Sequence, residues 1–171
     1  GQLRQARIRG IRPVGPDGIH LTLKFLGDVA KDQIEAIVDR VTDVAAAHRP
    51  FAVELGGAGG VPASEAPRVF WVGVGGDMRP LLAWQREIDE SLVELGFERE
   101  RREFRAHLTV ARAGEMASSA DRRNAAHVLA AGRSSSGLPI PVDAVSLMRS
   151  ILLPDGARYE RLARMTLYGG G

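Results

Sequence analysis

The sequence contains no cysteine, and this absence excludes several kinds of chemistry. Disulfide bonds, metal sites with thiolate ligands and catalysis by a cysteine nucleophile all require that residue. A chain without cysteine is compatible with a reducing compartment, and we expect a cytoplasmic protein. No apolar run approaches the roughly 20 residues of a membrane-spanning helix, so we also expect no membrane partner.

Lysine is nearly absent as well. Only Lys24 and Lys31 occur, so almost all of the 23 basic residues are arginines. Arginine forms bidentate hydrogen bonds with phosphate, which would suit a phosphate-binding surface. Abundant arginine, alanine and glycine can equally reflect a GC-rich genome. The formal net charge of +2 is too small to indicate a nucleic-acid partner on its own.

The chain is long enough for one folded domain, because its 171 residues, 44% of them hydrophobic, can bury a sizeable core. Apolar and polar residues alternate along Gly18–Leu26, which predicts a β-strand. Apolar residues at helical spacing predict a helix over Lys31–His48, and Gly96 is suited to end another helix over Leu81–Leu95. Similar patterns predict a helix at Ser118–Ala131 and strands at Phe51–Leu55, Arg68–Val74, Glu103–Arg112, Ile140–Arg149 and Arg158–Tyr168.

The predicted elements follow a repeating order. Strand, helix, strand, strand and helix are followed by strand, helix, strand and strand, and each half opens with a strand that contains H-L-T. The Gly/Pro-rich stretch "GGAGGVPASEAP" separates two strands of the first half. No long linker or low-complexity segment divides the halves. We therefore predict a single α+β domain, residues 1–171, with two lobes.

Two histidines share the same local pattern. His20 and Thr22 lie on one face of the first predicted strand, and His107 and Thr109 lie on one face of a later strand. A single H-x-T in a strand is more often structural, but two copies, each opening a matching half, favour catalysis. Two imidazoles on opposite sides of a phosphorus atom suit phosphoester chemistry, since one accepts a proton from the attacking oxygen and the other protonates the leaving oxygen. Each threonine hydroxyl can donate to a phosphoryl oxygen.

The other two histidines do not share this pattern. His48 and His127 lie in predicted helices without a threonine two places on, and we interpret them as solvated or structural. No H-x-x-x-H or H-x-H spacing supports a metal site. We expect that the protein needs no metal and no cofactor.

Four ordered blocks resemble one known superfamily. "HLTLKFLGDV" and "FRAHLTVAR" resemble the paired H-x-[TS]-x signature of the two-histidine (2H) phosphoesterases. More narrowly, these blocks, "GGAGGVPASEAPRVFWVGV" and "VSLMRSILLPDGARYERL" are similar to the RNA 2',3'-cyclic phosphodiesterases, also known as 2'-5' RNA ligases. The resemblance implies a bilobal α+β fold with two antiparallel sheets flanking a central cleft and helices on the outside.

The resemblance also implies roles for six residues. It makes His20 the proton donor and His107 the proton acceptor. It makes Thr22, Thr109 and Arg112 phosphate-binding residues. It makes Phe25 a residue that stacks on a base, although strict strand alternation would place this side chain on the apolar face.

The sequence departs from this family in two places. Ala106 stands where the family usually has a proline before the second histidine. The opening "GQLRQARIRGIRPVGPDG" contains no strand comparable to the family's first strand, so we expect that this strand and the helix after it are lacking. A natural polypeptide longer at its amino end, or a partner chain covering the exposed sheet edge, would follow from this expectation.

The sequence therefore predicts a metal-independent enzyme that opens a 2',3'-cyclic phosphate at an RNA end and leaves a 2'-phosphate. The same site could join RNA ends by a 2'-5' bond in the reverse reaction. Two alternatives stay open: a phosphodiesterase for a small cyclic nucleotide or an ADP-ribose cyclic phosphate, and a nucleotide- or RNA-binding module without turnover. The sequence does not indicate the oligomeric state.

Overall fold

The computed structural model of the chain describes residue 3 and residues 6–132, 137–153 and 156–168. The α-helices with described boundaries are α1 (Ile34–Ala46), α2 (Arg79–Ser91) and α3 (Ser119–Ala131). The strands are β1 (Ile11–Pro13), β2 (Phe51–Val61), β3 (Val69–Gly75), β4 (His107–Ala113), β5 (Pro139–Val142), β6 (Ala144–Leu153) and β7 (Gly156–Thr166). The three predicted helices are confirmed, and Gly96 ends a short 3-10 turn after α2 with a positive φ of 90°.

The described residues form two sheets. One has five strands in the order β1-β4-β3-β2-β5, and β6 pairs with β7 in a second sheet. The pairs β1–β4, β4–β3, β3–β2 and β6–β7 are all antiparallel. The predicted fold class, α+β with two antiparallel sheets and helices, is confirmed.

The chain folds into two compact units, each assembled from three separate stretches. The first unit comprises Gly1–Thr22, Glu54–Gly76 and Arg105–Ile140, and the second comprises Leu23–Val53, Asp77–Phe104 and Pro141–Gly171. The units do not coincide with the two halves of the sequence pattern. Both H-L-T motifs consequently belong to the first unit.

Each unit has its own hydrophobic core. In the first unit, Phe70 of β3 and Ala111 of β4 are fully buried together with Ala125 of α3. Ser118 begins α3 with a capping box, since its hydroxyl accepts from the Asp121 N–H while its own N–H donates to the Asp121 carboxylate. In the second unit, the buried side chains include one stripe of α1, one stripe of α2 and the end of β7: Ile37, Val41, Ala45, Leu81, Trp84, Ile88 and Met165.

The predicted strand at Gly18–Leu26 is wrong. Only one residue of this segment pairs, in an isolated antiparallel bridge between Leu21 and Leu108. The rest of that edge of β4 is already occupied, because β1 pairs with its last three residues and the Val14 N–H donates to the Val110 carbonyl. After Thr22 the segment belongs to the second unit, where the Gln85 amide donates to the Leu23 carbonyl.

The opening segment contains a short strand that the sequence did not indicate. Ile11–Pro13 forms β1 at the edge of the five-stranded sheet, and Leu3 and Ile8 are buried in the first unit's core. Three residues are too short to produce an alternating pattern, and arginine and proline do not favour strands, so no local pattern indicates this strand.

The Gly/Pro-rich stretch after Leu55 separates the two strands as predicted only from Pro62 onward. Its five residues before Val61 continue β2, which pairs with β3 as far as the Val61–Val69 pair, with an irregularity between Leu55 and Ala58. Glycine usually indicates a turn, but here the absence of a side chain at Gly59 leaves room for the ring of Trp71 on β3. The turn predicted between β6 and β7 falls on Pro154 and Asp155, outside the described residues.

Candidate active site

The bridge between Leu21 and Leu108 brings the two H-L-T motifs together within the first unit. Regular antiparallel pairing continued by one residue in each direction from this bridge would set His20 beside Thr109 and Thr22 beside His107. Directly opposed residues in an antiparallel pair share a face and have Cβ atoms about 4.5–5.5 Å apart. Such pairing would put all four side chains on one face, opposite that of the two leucines.

Both histidine rings are held in the same way. His20 Nδ1 lies 2.9 Å from the Gly18 carbonyl oxygen, and His107 Nδ1 lies 2.7 Å from the Arg105 carbonyl oxygen. A carbonyl oxygen only accepts, so in each ring Nδ1 carries the hydrogen. Nε2 is then the atom of each ring that can accept or donate a proton. His107 is exposed and His20 is half-buried.

A β-bulge places Arg112 on the same face as His107 and Thr109. Phe70 pairs with Ala111 and Trp71 pairs with Thr109, so Val110 has no opposite residue in β3. Val110 and Ala111 both pack against the core, and the alternation of β4 therefore shifts by one residue at this point. Without the bulge, Arg112 would lie on the face opposite the histidine.

Trp71 is a neighbour of the site that the sequence analysis missed. Its ring centroid lies 6.1 Å from that of His107, with the planes tilted by 59°. Trp71 pairs with Gly59 across β2 and β3, and a Cβ atom on Gly59 would overlap the indole. The glycine therefore lets the tryptophan lie across the sheet beside His107. The glycines of "GGAGG" in β2, opposite "FWVG" in β3, were the signal for this packing.

Phe25 belongs to the second unit, so the first unit does not include this predicted site residue. Its side chain is 84% exposed, which removes the alternative that it is part of a core. It lines a cavity of about 430 Å³ with Leu95 and Phe97. An exposed aromatic side chain at such a cavity is available for stacking on a flat ligand.

Lys24 and Asp89 fix the segment next to Phe25. They form an ion pair whose side chains are 7% and 11% exposed. The Lys24 ammonium also donates to the Glu98 carbonyl at 2.6 Å, and both Asp89 carboxylate oxygens accept from the Glu100 N–H at 3.2 Å. This network connects the segment after Thr22 with α2 and the chain that follows it.

The remaining histidines lie elsewhere. His48 Nε2 is 2.9 Å from a carboxylate oxygen of Glu87, and its ring is 6.2 Å from that of Trp84. His127 is exposed on α3. These positions agree with the interpretation of both as structural or solvated.

Metal-ligating clusters and long apolar helices are both missing from the described residues. These residues contain no group of three or more histidine, cysteine, aspartate or glutamate side chains arranged to hold a metal ion. Within the same part of the chain, no helix has both the length and the apolar composition needed to cross a membrane.

The fold matches solved structures over almost the whole chain. A protein of Thermus thermophilus superposes with a TM-score of 0.79 at 26% identity, covering 99% of this chain and 89% of that one. Escherichia coli LigT in complex with 3'-AMP superposes with a TM-score of 0.70 at 24% identity, covering 97% of this chain and 89% of LigT. The chain thus has the LigT-like fold.

Sequence comparison identifies the family. The model of the 2'-5' RNA ligase superfamily matches residues 2–151. The RNA 2',3'-cyclic phosphodiesterase of Archaeoglobus fulgidus is 33% identical over 91% of this chain and 83% of its own length. That of Methanothermobacter thermautotrophicus is 33% identical over 87% of this chain and 78% of its own length. The chain belongs to the 2'-5' RNA ligase superfamily, which confirms the resemblance seen in the sequence.

Proposed function

We propose that this protein is an RNA 2',3'-cyclic phosphodiesterase that opens the cyclic phosphate by two-histidine acid–base catalysis and leaves a 2'-phosphate. Its relatives in Archaeoglobus fulgidus and Methanothermobacter thermautotrophicus are named RNA 2',3'-cyclic phosphodiesterases. The observation that supports the proposal most is the Leu21–Leu108 bridge, because it brings the two H-L-T motifs next to each other within the first unit.

In the proposed reaction, water attacks phosphorus and its proton passes to Nε2 of His107. The bond between phosphorus and the 3' oxygen breaks, and Nε2 of His20 protonates that oxygen. For each turnover one proton is accepted and one is donated, so the next cycle requires a proton exchange with solvent. The Nδ1 hydrogen bonds to Gly18 and Arg105 support these roles by keeping Nε2 of both rings as the exchanging atom.

The other predicted residues have binding roles in this proposal. Thr22 and Thr109 donate their hydroxyls to phosphoryl oxygens as negative charge develops there. Arg112, on the same face, contacts phosphate with its planar guanidinium. Phe25, exposed beside its cavity, stacks on a base. No metal takes part.

The same step gives a 2'-5' RNA bond when an RNA 5'-hydroxyl attacks phosphorus in place of water. The two histidines keep their roles, because His107 accepts the proton of that hydroxyl and His20 protonates the departing 3' oxygen. A mononucleotide cyclic phosphate and an RNA end present the same reacting group, so the two substrates must be compared by experiment.

The test compares two substrates in the presence of excess EDTA: a 2',3'-cyclic mononucleotide and an oligonucleotide with a 2',3'-cyclic phosphate end. Phosphorus NMR of the products distinguishes a 2'-phosphate from a 3'-phosphate. We expect turnover of the RNA end to a 2'-phosphate, undiminished by the chelator.

Three outcomes would contradict the proposal. Turnover of the mononucleotide alone would indicate a small cyclic nucleotide as substrate. Binding without turnover of either substrate would indicate a binding module. Activity that is lost on chelation and restored by a divalent cation would overturn the metal-independent mechanism.

A further inference from the structure

Two arginines face each other across the edge of the five-stranded sheet. The register of β1 and β4 pairs Arg12 directly with Arg112, and both side chains are exposed. Like charges directly opposite each other destabilise a strand pair. Among the described residues, neither guanidinium has a hydrogen bond or an ion pair with the protein. The repulsion between the two guanidiniums is relieved when phosphate groups bind to them.

The arginine pair lies on the same face as the candidate active site. Ile11, Ala111 and Ala113 point into the core, so Arg12 and Arg112 alternate to the other face of the sheet. The bulge at Val110 puts Thr109 and His107 on that face as well. On the β3 side, Arg112 pairs with Val69, and Val69 pairs in turn with Val61 of β2. Neither valine carries a charge that could neutralise the arginines.

The Arg12 side chain leans away from Thr109. Its Nε would lie 3.3 Å from a Cβ atom placed on Gly114, the residue that follows the end of β4 and lies two residues beyond Arg112. A strand rises about 3.3 Å per residue, so the Arg12 guanidinium and Thr109 are separated by roughly 10 Å or more along the direction of β4. That distance separates it from a phosphate bound between the histidines, so Arg12 is placed for a different phosphate.

We propose that Arg12 binds a phosphodiester of the RNA chain on the 5' side of the reacting end. This inference rests on the proposed function and adds to it a residue that recognises the polynucleotide rather than the reacting phosphate. A cyclic mononucleotide has no second phosphate to offer Arg12. The contact therefore favours RNA ends over small cyclic nucleotides.

The experiment measures binding rather than turnover. A short fluorescently labelled RNA that ends in a 2'-phosphate is titrated with the protein at several salt concentrations, and fluorescence anisotropy gives the affinity. The variants are Arg12→Ala, Arg12→Lys and, as a control, Arg86→Ala, which removes an exposed arginine from α2. Calorimetry with a 2'-phosphorylated mononucleotide provides the comparison ligand.

Arg12→Ala is expected to weaken RNA binding about 10- to 100-fold, as for loss of a hydrogen bond to a charged group. The slope of log affinity against log salt concentration should be smaller in magnitude by about 0.7, which is the contribution of one contact with a single-stranded phosphate. Affinity for the mononucleotide should fall much less. Arg12→Lys should keep the salt dependence, and Arg86→Ala should match the wild type.

An unchanged salt slope in Arg12→Ala would overturn the inference. Equal losses for RNA and mononucleotide, or an equal loss in the Arg86→Ala control, would overturn it too. These results are separable from failure of the proposed function. If the wild type opens no cyclic phosphate while Arg12→Ala still loses RNA affinity, the RNA contact stands and the enzymatic proposal falls.

Discussion

His20 and His107 share more than their neighbouring threonines. Each ring donates from Nδ1 to the carbonyl oxygen two residues earlier in the chain. The repeated motif thus fixes the orientation and the tautomer of each imidazole as well as its position. The sequence indicated both histidines and both threonines, but it could not indicate the tautomer, because the accepting carbonyls depend on the local backbone path.

The ion pair of Lys24 and Asp89 leads to a prediction about stability. Asp89→Asn would leave the nearly buried Lys24 ammonium without its counter-charge, and breaking a buried pair typically costs about 3–5 kcal/mol. We expect the free energy of unfolding, measured by urea denaturation, to fall by an amount in that range.

The control for this variant is an exposed pair in the same unit. Arg40 and Glu94 form an ion pair with side chains 38% and 69% exposed. Glu94→Gln should change the free energy of unfolding by less than about 1 kcal/mol. Similar effects of the two variants would show that burial does not distinguish the Lys24 pair.

At the scale of single elements, the bulge in β4 decides which side chains reach the site. Regular alternation from His107 would bring residues 107, 109 and 111 to one face, whereas the structure brings Arg112 there and buries Ala111. A bulge depends on pairing with the neighbouring strand, so the sequence of β4 alone does not show it. The resemblance to a family predicted a role for Arg112, and the bulge puts this residue on the same face as His107 and Thr109.

The packing of Trp71 on Gly59 gives a prediction for β2. Gly59→Ala would push the indole off the sheet, and overpacking of this kind costs about 1–3 kcal/mol. Displacing Trp71 would also disturb His107, its neighbour. We expect a lower midpoint of thermal unfolding and slower opening of a 2',3'-cyclic nucleotide.

Gly57 provides a matched control in the same strand. A Cβ atom there would meet no other atom within 4 Å, and its backbone does not adopt a positive φ. Gly57→Ala should therefore keep both the stability and the activity of the wild type. Loss of activity in both variants would mean that β2 tolerates no side chains at all, which would remove Trp71 from the explanation.

Helices were the elements that the sequence predicted best. Their buried stripes, such as Ile37, Val41 and Ala45 in α1, follow from the spacing of apolar residues within one element. The segment at Gly18–Leu26 was mispredicted for the opposite reason. Its residues belong to two different units: Leu21 forms a bridge with β4 in the first, and Lys24 forms an ion pair with Asp89 of α2 in the second. The local sequence pattern does not indicate that the segment passes from one unit to the other.

At the scale of the whole molecule, the two units are interleaved along the chain. The duplicated order of elements suggested one lobe per half, yet both histidine motifs lie in one unit. Which stretches assemble together depends on strand pairing between distant residues, which periodicity does not reveal. The net charge of +2 also did not indicate where charges concentrate, because it does not show that Arg12 and Arg112 face each other at one edge of the sheet.

The central claim is that two histidines on one face of the first unit perform the chemistry. The most direct test is the rate of opening of a 2',3'-cyclic nucleotide by the wild type, His20→Ala, His107→Ala and the exposed-histidine control His127→Ala, with folding checked by circular dichroism. General acid and general base catalysis each contribute about 10²–10⁴-fold, so His20→Ala and His107→Ala should each lose at least about 10²-fold in kcat. His127→Ala should keep the wild-type rate. A folded His20→Ala or His107→Ala variant with a near wild-type rate would contradict the account.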